Sequence, residues 1–91
     1  MSSLTVRLFI EVYECSPRQR TIFRRKLLRL GWSRIGSSGA LFGMEMGGLK
    51  SERQALRRTT RHVHAAIQAA EILDFSADCF CSGQFKLAKA T

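Results

Sequence analysis

The amino-acid sequence predicts an α+β sandwich in the order strand, helix, strand, strand, helix, strand. Three observations carry that expectation. Residues 4–13 and 75–81 alternate with a period of two, two longer segments repeat their apolar residues at helical spacing, and each of those segments opens on a Ser-x-x-Gln capping pattern. Alternation buries one face of a strand and a 3.6-residue repeat buries one stripe of a helix, so the pattern names each element before its partner is known.

In the first strand Leu4, Val6, Leu8, Ile10 and Val12 point one way, and Thr5, Arg7, Phe9, Glu11 and Tyr13 the other. Its β-branched residues suit a pleated, half-buried surface. The run ends at Cys15-Ser16-Pro17. Ser16-Pro17-Arg18-Gln19 then starts a helix: Ser16 caps, Pro17 suits the first helical position and Gln19 closes a capping box. This helix is expected to reach Leu30, with Gly31 as the left-handed residue beyond it. Phe23, Leu27 and Leu30, with Ile22 at the edge, form the stripe that packs on the sheet. Arg18, Arg25 and Arg29 share an arc on the other side, flanked by Arg20, Arg24 and Lys26.

Residues 32–46 read as two short strands, 33–36 and 40–46, about a Ser37-Ser38-Gly39 turn. Gly43 inside the second is expected to mark a bulge, and Gly47-Gly48 breaks the chain before the next helix. Ser51-Glu52-Arg53-Gln54 opens that second helix, which is expected to reach about Leu73. Leu56, Val63, Ile67 and Ala70 make its apolar stripe, with Thr59, Thr60 and Ala66 beside them, while Arg53, Arg57, Arg61 and His64 occupy an adjacent face. In the last strand Phe75, Ala77, Cys79 and Cys81 alternate against Ser76, Asp78 and Phe80. Ser82-Gly83 is expected to turn the chain, leaving residues 84–91 as an extra strand, an arm onto a partner or a tail. With no internal repeat or linker, residues 1–91 form a single domain. The element order is the ferredoxin-like one: an antiparallel sheet with both helices on one face and the other face open.

The balance of charge limits the partners. Lys and Arg number 15 against 7 acids, a net charge of +8 with a pI near 10.5. Such an excess on 91 residues costs self-repulsion and favours polyanions. Arginine outnumbers lysine, which suits forked hydrogen bonds to phosphate or carboxylate, although a charged helical run is also what a solvated face looks like. No apolar run approaches the ~20 residues that span a bilayer, so no membrane segment is expected. The opening Met1-Ser2-Ser3-Leu4 does not have the pattern of a secretory signal, and three cysteines, Cys15, Cys79 and Cys81, make no disulfide framework. A reducing cytoplasm is the expected setting.

Catalytic signatures are sparse. His62 and His64 lie about 200° apart on a helix and cannot share one ion. Cys79 and Cys81 share one side of a strand but bring no further ligands, and buried apolar cysteine accounts for them. No nucleophile elbow or phosphate-cradling glycine loop is present, so neither a metal nor a cofactor is expected and an enzyme is the less favoured class. On the open sheet face, Phe9, Tyr13 and Phe42 are the expected interface residues. Residues 8–13 are similar to the first strand of the RNA-recognition motif, whose aromatics stack bases, but the partner strand offers only Phe42. An open apolar face also serves as a dimer interface.

Over residues 4–38 the chain resembles the small CRISPR-adaptation protein family and the related VapD ribonucleases. The resemblance lies in Val12-Tyr13-Glu14 at the strand end, Arg24-Arg25-Lys26 in the helix, Leu30-Gly31-Trp32 at its close and Arg34-Ile35 after it. It implies a ferredoxin-like fold, a dimer that serves as a nucleic-acid platform, and a strand-end acid linked to metal-dependent nuclease activity. Here that acid is Glu14 where the family has Asp, which carries the carboxylate outward by one C–C bond from where tight Mg²⁺ geometry needs it. GhoS-like antitoxins have the same architecture. The leading expectation is thus a dimeric nucleic-acid-binding protein that meets phosphates with Arg18, Arg24, Arg25, Arg29, Arg53, Arg57 and Arg61. Its rivals are an anti-CRISPR-like or other phage- or defence-related inhibitor binding an acidic protein surface, and a metal-dependent ribonuclease using Glu14.

Overall fold

The computed structural model describes residues 3–48 and 51–83. Its elements are β1 (Ser3–Tyr13), α1 (Pro17–Arg29), β2 (Ser33–Arg34), β3 (Leu41–Gly47), α2 (Glu52–Ala70) and β4 (Asp74–Gly83). The strands lie in the order β2-β3-β1-β4 and every pairing is antiparallel. With both helices on one side, this is the ferredoxin-like α+β arrangement.

The alternation of β1 places it at the centre. It pairs with β3 from Ser3↔Gly47 to Phe9↔Leu41 and with β4 from Leu4↔Gly83 to Tyr13↔Asp74. Residues directly opposed across a ladder share a face. Leu4, Val6, Leu8 and Ile10 therefore line up with Phe42 and Met46 beneath the helices, where Phe23, Leu27, Trp32, Val63, Ala66 and Ile67 complete the core. The alanines Ala55, Ala66 and Ala70 on the buried side of α2 let that helix lie close to its neighbours.

Both helices stop by the same device. After α1, Gly31 takes φ 107° and the Trp32 N–H reaches back to the Leu27 carbonyl at 3.1 Å. After α2, Glu71 takes φ 55° and the Ile72 N–H reaches the Ile67 carbonyl at 3.1 Å. In each case a left-handed residue is followed by a buried apolar one, Trp32 or Ile72, which anchors the exit of the chain. This is why α2 ends at Ala70 and not near Leu73.

Gln19 links the helices to each other. Its Oε1 accepts from the Ser16 N–H at 2.8 Å to complete the capping box, and its Nε2 donates to the carbonyls of Ala70 and Glu71, each at 3.1 Å. One side chain thus satisfies orphan groups at the start of α1 and at the end of α2.

Four local expectations are corrected. Gly43 makes no bulge, since the β1–β3 register runs unbroken through Arg7↔Gly43; the space a side chain would fill is taken by Ile35 and Arg7, whose atoms lie 2.6 and 2.9 Å from an ideal Cβ. Leu56 is 43% exposed and so stands outside the core stripe of α2. Ser82-Gly83 continues β4 in register with Thr5 and Leu4 and does not turn. The second strand is shorter than the expected 33–36: β2 keeps only Ser33 and Arg34 because Gly36, with φ 69°, bends the chain away. The expected extra strand or tail at 84–91 lies outside the described residues.

The double role of Gln19 gives a test. Gln19→Glu keeps the acceptor for Ser16 but replaces two donated bonds with a negative charge at the carbonyl end of α2. Urea unfolding is expected to show a loss of about 1–2 kcal/mol; stability equal to the parent would mean that the link between helices contributes nothing.

Candidate nucleic-acid interface

The capping residue and the indole fix how the two helices meet. Gln19, near the start of α1, touches the end of α2, while Trp32, just past the end of α1, donates its Nε1–H to His62 Nδ1 at 3.0 Å, with the two rings edge to face at 88°. The helices therefore run antiparallel, side by side on one face of the sheet. At ~100° per residue, Arg25 lies opposite the buried side of α1 marked by Phe23 and Leu27, and Arg18 and Arg29 fall within about 40° of it. On α2, Arg61 lies opposite the buried stripe with Arg57 beside it. All five are exposed, as is Arg53. The two arginine arcs accordingly open onto one outer surface.

Arg58 completes that surface and was not singled out by the sequence. It is half-buried on the side of α2 that turns toward α1, and with Gly48, Gln54, Arg57 and Arg61 it lines a concavity of about 320 Å³. Only the packing direction of α2 assigns it there; its position in the sequence does not. Arg18 flanks a groove between the helices lined also by Ile22, Ala69 and Glu71. Arg24 departs from the set. It is half-buried on the opposite flank of α1, lying against Gly39, and shares a cleft with Arg20. Among the described residues none of these guanidiniums lies within 4.0 Å of a carboxylate oxygen.

The open face of the sheet has the opposite sign. Thr5, Arg7, Phe9, Glu11 and Tyr13 stand there from β1, joined by Leu41 and Glu45 from β3 and by Asp74, Ser76, Asp78 and Phe80 from β4. Four carboxylates thus face one guanidinium. The Tyr13 hydroxyl donates to Glu11 Oε1 at 3.2 Å and lies 3.2 Å from Ser76 Oγ. Phe42 does not belong to this face: it opposes Leu8, points to the helices and is fully buried. The frame shift arises because Phe42 stands one residue beyond Leu41, which opposes Phe9. The exposed aromatic partner of Phe9 and Tyr13 is instead Phe80, 59% exposed and opposite Arg7. Its alternation with Ser76 and Asp78 was the signal for it.

Glu14 sits just after β1 with φ 51°, exposed, and no group of three or more His, Cys, Asp or Glu gathers for a metal among the described residues. Cys79 and Cys81 are free and half-buried, and burial and the neighbouring Cys79 push the Cys81 thiol up to about 11, so it stays protonated at neutral pH. His62 is half-buried between the helices and His64 is exposed. No helix among the described residues is long and apolar enough to cross a membrane. Comparison with family models, curated proteins and solved structures finds no match for this chain.

His62 makes the helix seam sensitive to pH. Burial first, then the charges of Arg58 and Arg61, hold its pKa below the ordinary 6.5. Above pH 6.5 the imidazole is neutral in the folded and unfolded chain, and Nδ1 accepts the indole proton. As pH falls below 6.5 the unfolded chain takes up the proton first, so stability drops until the folded value is passed. The unfolding midpoint is expected to fall between pH 7.5 and 5.5, and His62→Gln, which can accept but not ionise, is expected to remove most of that fall. An unchanged slope in the variant would rule out His62 as its source.

Proposed function

We propose that this domain binds nucleic acid through phosphate contacts from the outer surface of α1 and α2. The observation that carries the reading is the segregation of charge. Arg18, Arg25 and Arg29 on α1 and Arg53, Arg57 and Arg61 on α2 open onto one outer surface, with Arg58 beside them; α1 carries no carboxylate and α2 only Glu52, while four of the seven acids of the chain lie on the far side of the sheet. A surface charged merely for solubility would mix its signs. Concentrating one sign on one surface attracts and orients a polyanion. Forked guanidiniums one helical turn apart, at Arg53, Arg57 and Arg61, suit successive phosphates.

The open face plays another part in this reading. Its carboxylates repel a phosphate backbone, so Phe9, Tyr13 and Phe80 do not stack bases as an RNA-recognition sheet does. They also oppose a homodimer made by setting two open faces together, and a dimer of this protein would use another surface. Kinship with the CRISPR-adaptation and VapD proteins is part of the proposal at the level of fold and nucleic-acid contact, without a nuclease role for Glu14.

A second reading has one observation in its favour. Leu56 lies exposed in a groove of about 430 Å³ bounded by Arg53, Arg57, Thr60 and Arg61. An apolar floor ringed by guanidiniums suits an acidic protein that inserts an apolar side chain, as an inhibitor of a nucleic-acid-processing complex would do.

Salt separates the two. Six phosphate contacts predict a slope of log affinity against log salt of about −4 for single strands and about −5 for a duplex. Arg57→Ala and Arg61→Ala are each expected to weaken binding and to lessen the slope by about 1. Leu56→Ala is expected to leave nucleic-acid affinity nearly unchanged. A flat salt dependence would sink the proposal, and a partner protein lost with Leu56→Ala would favour the second reading.

A further inference from the structure

We infer that the cleft between α1 and the end of β1 is a site for a phosphate monoester, such as the phosphorylated end of a nucleic-acid strand. The inference rests on the nucleic-acid reading only for the source of the ligand, not for the chemistry of the site.

The cleft has a volume of about 240 Å³ and is separate from the outer helical surface. Three walls enclose it: the edge of β1 at residues 10–13, the flank of α1 that carries Arg20 and Arg24, and the loop at residues 38–40. The strand edge is free because β3 ends early. The last register pair is Phe9↔Leu41, and the last ladder bond is Ile10 N–H to the Ala40 carbonyl at 2.9 Å. Alternate residues of an antiparallel strand direct their backbone groups to the same side. The Val12 N–H therefore points, like that of Ile10, to the side where β3 would have continued. It has no acceptor among the described residues and lies in the wall of the cleft.

Two guanidiniums line the same cleft as this donor. Arg20 is oriented by its Nε–H, which donates to Cys15 Sγ at 3.5 Å and leaves its two terminal nitrogens free. Arg24 lies flat on Gly39, where an ideal Cβ would come within 3.3 Å of Nη2 and 3.8 Å of Nε. Gly39, at φ 76°, supplies both the turn and the room. The Ser38 Oγ accepts from the Ala40 N–H at 3.2 Å, which leaves its own proton to donate. The carboxylate at the rim, Glu11, is engaged by the Tyr13 hydroxyl on the open face.

Two cations, a backbone N–H and a hydroxyl form a donor set for a compact, doubly charged oxyanion. A phosphodiester inside a strand carries one charge and must enter and leave. A monoester carries up to two and can terminate in a cleft walled on three sides, which is why the end of a strand, or a free mononucleotide, fits better than the middle of one.

The test compares four probes by fluorescence anisotropy and competition: one oligonucleotide with hydroxyl ends, the same with a 5′-phosphate, the same with a 3′-phosphate, and adenosine monophosphate. One phosphorylated end is expected to bind about tenfold tighter than the hydroxyl-ended strand. The double variant Arg20→Ala/Arg24→Ala is expected to lose that preference and keep the affinity for the hydroxyl-ended strand, which the outer arginines set. Arg20→Lys/Arg24→Lys keeps the charge and the helix but loses the forks, and is expected to lose most of the preference. Binding of adenosine monophosphate that depends on Arg20 and Arg24, with equal affinity for all three strands, supports the site and assigns it to free nucleotides. Equal strands together with no binding of adenosine monophosphate overturns the inference, while binding of the hydroxyl-ended strand separately judges the nucleic-acid reading.

Discussion

The antiparallel seating of α1 against α2 is the constraint on which the rest of this structure depends. It is held at two places. Gln19 reaches from the start of α1 to the last carbonyls of α2, and the Trp32 indole, anchored by the left-handed turn at Gly31, reaches His62 near the middle of α2. Each bond is worth only about 1 kcal/mol by itself. Together they fix the direction and rotation of one helix relative to the other, and rotation decides where ten cationic side chains point. A turn of α2 by one residue would bury Arg58 or Arg53 and expose the alanines that allow close packing.

That geometry concentrates like charge, which opposes folding. The chain has no compensating ion pairs among the described guanidiniums. Stability comes instead from the apolar layer between sheet and helices, in which Val6, Leu8, Leu27, Trp32, Phe42 and Met46 are nearly or fully inaccessible. His62 sits on the seam, where its bond to the indole needs it neutral and burial, with Arg58 and Arg61 adding to it, keeps it so. Four of the seven acids lie across the sheet, where they do not quench the basic surface. The outcome is an electrically two-sided domain, and the polarity argues for function more strongly than the net charge does.

The fold was legible because its signals are local. Alternation in β1 and β4 and the capping serines Ser16 and Ser51 placed four of the six elements within a few residues. The exit from α2 was missed because a glutamate, Glu71, takes the left-handed conformation usually left to glycine, and nothing in its identity announces that. Phe42 was misassigned because the phase of β3 depends on its register with β1, a non-local quantity; one step separates Leu41 on the open face from Phe42 in the core. The outward arginines of the candidate site were readable from helical spacing alone. The distinction between Arg24 and its neighbours was not, since it follows from the loop at Gly39 folding beneath it, and Arg58 needed the packed partner helix.

Amide chemical-shift mapping of the ¹⁵N-labelled protein against a single-stranded oligonucleotide tests the central claim most directly. The account predicts that perturbations cluster on the outward residues of both helices, around Arg25, Arg29, Arg57 and Arg61, and extend through the helix seam to the Trp32 indole, while Phe9, Asp78 and Phe80 stay still. Perturbations centred on the open face, with the helices silent, would contradict it.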